Sequence, residues 1–231
     1  MLCSWIEVQD EYLYYILSLE THVGNWTCQQ CHNINGHLRC KDCFGSPILC
    51  KACCMSVHQQ SPFHHIEKWS SGFFTETSLD TEGFVLYLGH SGAPCPVETL
   101  IDMDEDLELE AAKSRVIEND DIDMLGEWEI TNTDNGSLTI TVVDCNGVHH
   151  QHVRWCCCPD APSKDIQLLK ERLFPASVHR PSTAFTFQVL DYFHIDAVEC
   201  KTSAMNFYSK LKRLTNYTFP SLVSVCSWHH N

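Results

Sequence analysis

Between Cys28 and His65 one spacing recurs three times: Cys28/Cys31, Cys40/Cys43 and Cys50/Cys53 are Cys-x-x-Cys pairs, and His58 and His64/His65 follow them. Two thiols three residues apart on a tight turn supply half of a tetrahedral metal site, and imidazole is an equivalent donor. Three pairs and two histidines make eight ligands, enough for two closed sites. A stretch of about forty residues cannot bury much core, so it folds on the free energy of metal binding. In a cross-brace, the first and third pairs share an ion and the second pair joins the histidines. That order assigns Cys28, Cys31, Cys50 and Cys53 to one site, and Cys40, Cys43, His58 and one of His64 or His65 to the other. Cys54 and His65 stand as alternatives to Cys53 and His64. Gly36 and Gly45, ahead of the second and third pairs, are read as sources of turn freedom. His32 and His37 are read as surface histidines. Closed four-ligand sites are structural, which favours a binding module over a catalytic metal.

Fifteen cysteines are also compatible with a disulfide scaffold. The first twenty residues argue against it: they lack a basic n-region and carry acids inside their apolar stretch, unlike a signal peptide. The expectation is an intracellular protein with reduced thiols and zinc as the ion. No apolar run reaches the roughly 18 residues of a membrane span. Net charge is −15, and residues 98–129 hold thirteen acidic residues against Lys113 and Arg115. Residues 97–127 are therefore read as a solvated acidic insertion.

The expected fold class is α+β: a small zinc-stabilised cross-brace finger, then an antiparallel β meander and two or three α-helices. Residues 1–25 form a packing helix, its apolar face running from Trp5 to Leu19. Residues 26–68 are the ZZ/B-box-like cluster. Residues 69–96 are connecting strands, with Phe84, Leu86 and Leu88 alternating, and a loop with metal-ligand residues. Residues 128–220 carry the meander and helices. Turns at Asp134-Asn135-Gly136 and Asn146-Gly147 separate three strands over 128–156. A helix is expected over KDIQLLKERLF, begun at Pro162 or Ser163 and ended by Pro175. Another is expected around 202–214, capped by Thr202 or Ser203. The tail from Ser221 carries no clear signal.

Cys156, Cys157 and Cys158 end the third strand, and alternation places Cys156 and Cys158 on one face. With His90 and Cys95 from the loop LGHSGAPCP they form a candidate third zinc site, with His149 as the substitute for His90. The competing reading is buried or edge cysteines beside surface histidines.

These stretches resemble a known family: LRCKDCFGSPILCKACCMSVHQQSPFHHIEKW, LYLGHSGAPCP, ITVVDCNGVHHQHVRWCCCPDAP, IQLLKERLFPASVHRPSTAFTFQVLDYFH and KTSAMNFYSKLKRLTN. The chain is similar to the C-x-C type cysteine-cluster domain associated with KDZ transposases, found mostly in fungal genomes. The resemblance implies zinc at Cys28, Cys31, Cys40, Cys43, Cys50, Cys53, His58 and His64, and favours Cys156 and Cys158 over Cys157. The N-terminal cluster is similar to ZZ and B-box fingers, which bind peptides or proteins. In the family this region usually precedes a transposase catalytic domain. Here the chain stops soon after Asn216, which reads as a truncated transposon remnant or an incomplete gene model.

Three function classes follow. An enzyme is disfavoured: the acids crowd into 98–129 rather than onto scaffold strands, and the thiols are committed to metal. A RING-like ubiquitin ligase is a weaker reading, because a RING places its histidine mid-motif. A DNA-binding accessory domain finds support in Lys210, Lys212 and Arg213 at one helix end, although positive charge is also favoured there by the helix dipole. A docking module for a protein or peptide fits the cluster best, with Asp42 a candidate contact for a basic or amine group. The expected setting is nuclear, with no membrane and no small-molecule substrate.

Overall fold

The computed structural model describes residues 2–21, 27–33, 35–97 and 137–223. They fall into two compact units, Met1–Phe84 and Val85–Asn231, so the division lies inside the stretch read as connecting strands.

The first unit opens with α1 (Leu2–Leu19). A four-stranded antiparallel sheet follows, in the order β2-β1-β3-β4, from β1 (Leu38–Cys40), β2 (Ile48–Leu49), β3 (Ile66–Ser70) and β4 (Phe73–Thr77). α2 (Lys51–Val57) leaves β2 directly, with Cys50 as its N-cap residue. Leu38, Leu49 and Ile66 are buried, and Leu38 pairs with Leu49 on one side and Lys68 on the other. Arg39 is the polar organiser. Its Nε donates to Glu67 at 2.6 Å, and its guanidinium lies 3.8 Å from the centre of the Phe74 ring. Charge and ring stacking together suit a planar guanidinium.

α1 covers the periodic stretch from Trp5 to Leu19 and starts three residues before it, but it is not a packing helix within the described residues. Trp5 is 53 % exposed and Tyr14 68 %. The period reports an apolar stripe and not what covers it.

The second unit is built on a five-stranded mixed sheet in the order β5-β7-β6-β9-β8. Its strands are β5 (Leu86–Tyr87), β6 (Ser137–Asp144), β7 (Gly147–Arg154), β8 (Leu173–Pro175) and β9 (Thr183–Thr186). The expected hairpin is there: β6 and β7 pair antiparallel in full register from Ser137↔Arg154 to Asp144↔Gly147. The turn occupies Cys145 and Asn146, one residue earlier than the Asn-Gly signal suggests. Flanking β5–β7 and β6–β9 pairs run parallel, which neighbouring-strand signals do not reveal. The expected strand over 128–134, its turn, and most of the acidic segment and the tail lie outside the described residues.

α3 (Lys164–Lys170) starts after Ser163 as expected but stops short of Pro175. Arg172 turns into the left-handed region at φ 60°, and Leu173–Pro175 pair with β9 instead. Proline is tolerated in β8 because this is an edge strand, where one N–H is not needed. α4 (Phe187–Glu199) was not anticipated, although Thr186 is a clear N-cap: its hydroxyl accepts from Val189 N–H at 3.1 Å and donates to Asp144 at 2.6 Å. α5 (Ala204–Thr215) follows with Ser203 accepting from Asn206 N–H, as expected. Val143 and Val148 on one sheet face pack with Val189 of α4, Phe207 and Leu211 of α5, and Val223. Beside this cluster lies an open groove of about 830 Å³, lined among others by Phe174, Phe185, Phe193, Thr139, Thr141 and Ser182.

Candidate metal centres

Among the described residues three groups of four Cys/His residues converge, their ligand atoms all within 4.8 Å of one another in each group. The geometry has a simple test. With metal–sulfur bonds of about 2.3 Å and tetrahedral angles, neighbouring sulfurs stand about 3.8 Å apart and sulfur–nitrogen pairs about 3.5 Å.

The first group is Cys28, Cys31, Cys50 and Cys53. A tight turn brings Cys28 and Cys31 together, closed by His32 N–H donating to the Cys28 carbonyl at 2.8 Å. Cys50 and Cys53 sit on the N-cap and first turn of α2. Cys31 and Cys50 sulfurs are 3.9 Å apart, the tetrahedral spacing. Burial acts to raise the Cys28 thiol, but N–H donors of Cys31, Cys50 and Gln30 outweigh it and hold the thiol down at about 6. Cys53 goes the other way, pushed up to about 12, first by its bond with Cys50 and then by burial. A crowd of thiols without a cation cannot all ionise, and a divalent ion removes that conflict.

The second group is Cys40, Cys43, His58 and His64. Cys43 sulfur lies 3.5 Å from His58 Nε2 and 3.5 Å from His64 Nδ1, and Cys40 sulfur lies 3.4 Å from His64 Nδ1. His58 is fully buried. Its Nδ1 lies 2.8 Å from the Cys54 carbonyl, which only accepts, so Nδ1 carries the proton and Nε2 offers its lone pair to a metal. Cys54 thereby serves through its backbone. Its buried thiol, raised to about 12 chiefly by burial, stands outside both groups of four. His65 also stands outside: its backbone N–H and ring Nδ1 both meet Asp42 Oδ2, at 2.7 and 3.0 Å. Asp42, read as a peptide contact, is committed to this clasp.

Gly36 acts through close approach and not through a left-handed turn. A Cβ there would lie 2.9 Å from the Thr27 carbonyl oxygen, beside Cys28. Gly45, at φ 77°, does supply turn freedom.

The third group is His90, Cys95, Cys156 and Cys158. His90 Nε2 lies 3.2 Å from Cys156 sulfur and 3.4 Å from Cys158 sulfur, while Cys95 and Cys158 sulfurs are 3.8 Å apart. Cys157 faces solvent. His149, the alternative ligand, instead bonds Asn146 at the hairpin turn, 2.8 Å away. Sequence reasoning missed two supports. Gln167 of α3 accepts from Cys156 N–H at 2.9 Å and donates to the carbonyls of Cys156 and Pro162 at 3.1 and 2.9 Å. Gly89, at φ 100°, opens a run of left-handed residues through His90, Ser91 and Gly92 that aims the imidazole inward.

Each donor set is soft nitrogen and sulfur in tetrahedral array, so each group can hold a metal ion and is compatible with zinc. Among the described residues no helix is long and apolar enough to cross a membrane. Neither the curated proteins nor the solved structures contain a match to this chain. The part of the chain that holds the β6–β7 hairpin, the Cys156/Cys158 pair and helices α3 to α5 is similar to a known family: residues 126–218 match the model described as CxC2 like cysteine cluster associated with KDZ transposases.

Proposed function

We propose that this chain is a zinc-stabilised, non-catalytic docking module for a transposable element. The observation that carries this reading is the completeness of the three donor sets. Each group supplies four protein ligands, which leaves a tetrahedral ion no open position for water or substrate. A catalytic zinc keeps such a position, a structural one does not. Each unit is small, and bound zinc contributes directly to its folding free energy.

The partner is a protein or peptide of the transposition machinery, met in the nucleus. The groove beside α4 and α5 supports a peptide, since its aromatic and hydroxyl lining suits an apolar segment with a few backbone hydrogen bonds. Duplex DNA is the second reading, favoured by Lys210, Lys212 and Arg213 on α5. One of those charges is already engaged, because Lys210 Nζ lies 2.9 Å from Asp196. Phosphate binding by the rest is correspondingly weak.

Native and denaturing mass spectrometry test the metal reading, with three zinc ions expected in the folded chain and two in a Cys156→Ser/Cys158→Ser double variant. A folded, reduced protein without zinc overturns it. Duplex DNA titrated across a salt series tests the partner. A steep loss of affinity with salt supports the DNA reading, and no binding at low salt supports the peptide.

A further inference from the structure

The sheet of the second unit is buried along one face, at Ile140, Val142, Gln151, Val153 and Ala184. Alternation sends their neighbours to the other face, and there the register builds successive rows. Val143 pairs with Val148 and with Phe185, and this row packs against α4 and α5. Thr141 comes next, paired with His150 and Thr183. Thr139 follows, paired with His152, and Arg154 ends the column. Thr139, His150 and His152 are exposed, and Thr141 Oγ1 lies 3.5 Å from His150 Nδ1.

Side-chain chemistry therefore changes in one direction along this face, from apolar to hydroxyl to imidazole and guanidinium. The groove of about 830 Å³ shares Thr139 and Thr141 with these rows and meets α4 at Val189 and Leu190 and α5 at Tyr208. Among the described residues none that lines the groove is charged, and none in the rows is an acid.

The gradient selects the occupant. Four rows two residues apart span about 20 Å, the length of about six extended residues. Apolar side chains suit the α4/α5 end, where Phe174 and Phe185 pair directly across β8 and β9. An anionic group suits the other end. Arg154 keeps its charge, and each imidazole carries at least one N–H to donate. One permanent cation and two imidazoles match one or two carboxylates. A nucleic-acid strand instead needs several cations along its phosphates.

We propose that the groove takes an extended peptide with unlike ends, apolar against α4 and α5 and acidic beside His150, His152 and Arg154. This rests on the peptide reading of the groove and adds to it the acidic end and its position.

A random seven-residue peptide library displayed on phage, selected on the zinc-loaded full chain, tests it. Enriched sequences are expected to carry apolar residues at one end and Asp or Glu at the other. An enriched peptide, synthesised with a fluorophore, then gives affinities by anisotropy. His150→Gln/His152→Gln/Arg154→Gln is expected to weaken it about 10-fold, as several exposed ionic contacts are lost together. Replacing the acids of the peptide by their amides is expected to cost the same and to make the triple variant silent, because both changes break one set of contacts. Phe174→Ser is expected to weaken the acid and amide peptides alike. Zinc counts and thermal melts report whether each variant is folded, and if the triple variant is not, the amide peptide alone decides. Enrichment of sequences without acids overturns the proposal and leaves the peptide reading standing, as does an amide peptide or a folded triple variant of unchanged affinity. No enrichment at all removes both. A single-stranded oligonucleotide that displaces the peptide and loses affinity in the triple variant overturns the proposal in favour of nucleic acid.

Discussion

Asp42 holds His65 by two bonds to one carboxylate oxygen, from the backbone N–H at 2.7 Å and from the ring at 3.0 Å. This clasp decides which of two adjacent histidines faces the second donor group. With His65 held by Asp42, His64 presents Nδ1 to Cys40 and Cys43. Burial acts to raise the Asp42 carboxyl, but the His65 N–H and the neighbouring imidazoles outweigh it and hold it below the usual carboxylate range. Asp42→Ala leaves the His65 N–H to solvent at this exposed site, a loss of about 0.5–1.5 kcal/mol. Zinc affinity of the second group is expected to fall about 10–100-fold, as for other outer-sphere partners. Competitive chelator titration checks this, and unchanged affinity would show that His64 is oriented by its own packing.

Cys53 and Cys54 are adjacent, alike and expected to behave differently. Cys53→Ser removes a ligand of the first group and lowers the zinc count by one. Cys54→Ala keeps the count, because its carbonyl still anchors His58. It costs about 1 kcal/mol of packing at a fully buried position. Native mass spectrometry with thermal melts distinguishes the two, and equal zinc loss from both would contradict the assignment.

Gln167 is a positioning residue for the third group. Gln167→Leu preserves bulk but strips the Cys156 N–H and the carbonyls of Cys156 and Pro162 of their partners. Each orphaned buried group costs about 1–3 kcal/mol. The expected result is selective loss of the third zinc, while the two ions of the first unit remain. Gln167→Glu, which keeps the acceptor for Cys156 N–H, is expected to recover part of the binding.

Gly89→Ala is expected to damage the same site for a different reason. The new Cβ would stand 3.1 Å from Cys156 Cβ, and the backbone at φ 100° is one that L side chains rarely adopt. Strain of about 1–3 kcal/mol at this point displaces His90. Cobalt substitution provides the readout: absorption bands of a sulfur-rich tetrahedral site that weaken by one third relative to wild type place the loss in one group of three. Full-strength bands would mean that the loop adapts.

The sequence by itself determined the donors. Three repeated Cys-x-x-Cys pairs and their order relative to His58 specify a cross-brace, because turn geometry makes each pair a unit and only the pairing of units remains open. The β6–β7 hairpin and α5 were equally legible, being local: alternation, a tight turn and a serine cap all act within a few residues. What the tertiary structure decided is what depends on distant neighbours. α4 is capped by a threonine that also bonds Asp144, 42 residues away, and the end of α3 is set by strand pairing between β8 and β9. The choice of His64 over His65 rests on Asp42, 23 residues back in the chain. The choice of His90 over His149 rests on where the hairpin and its turn place each ring. Spacing reports which side chains can reach a common point, and only the folded backbone fixes which of them do.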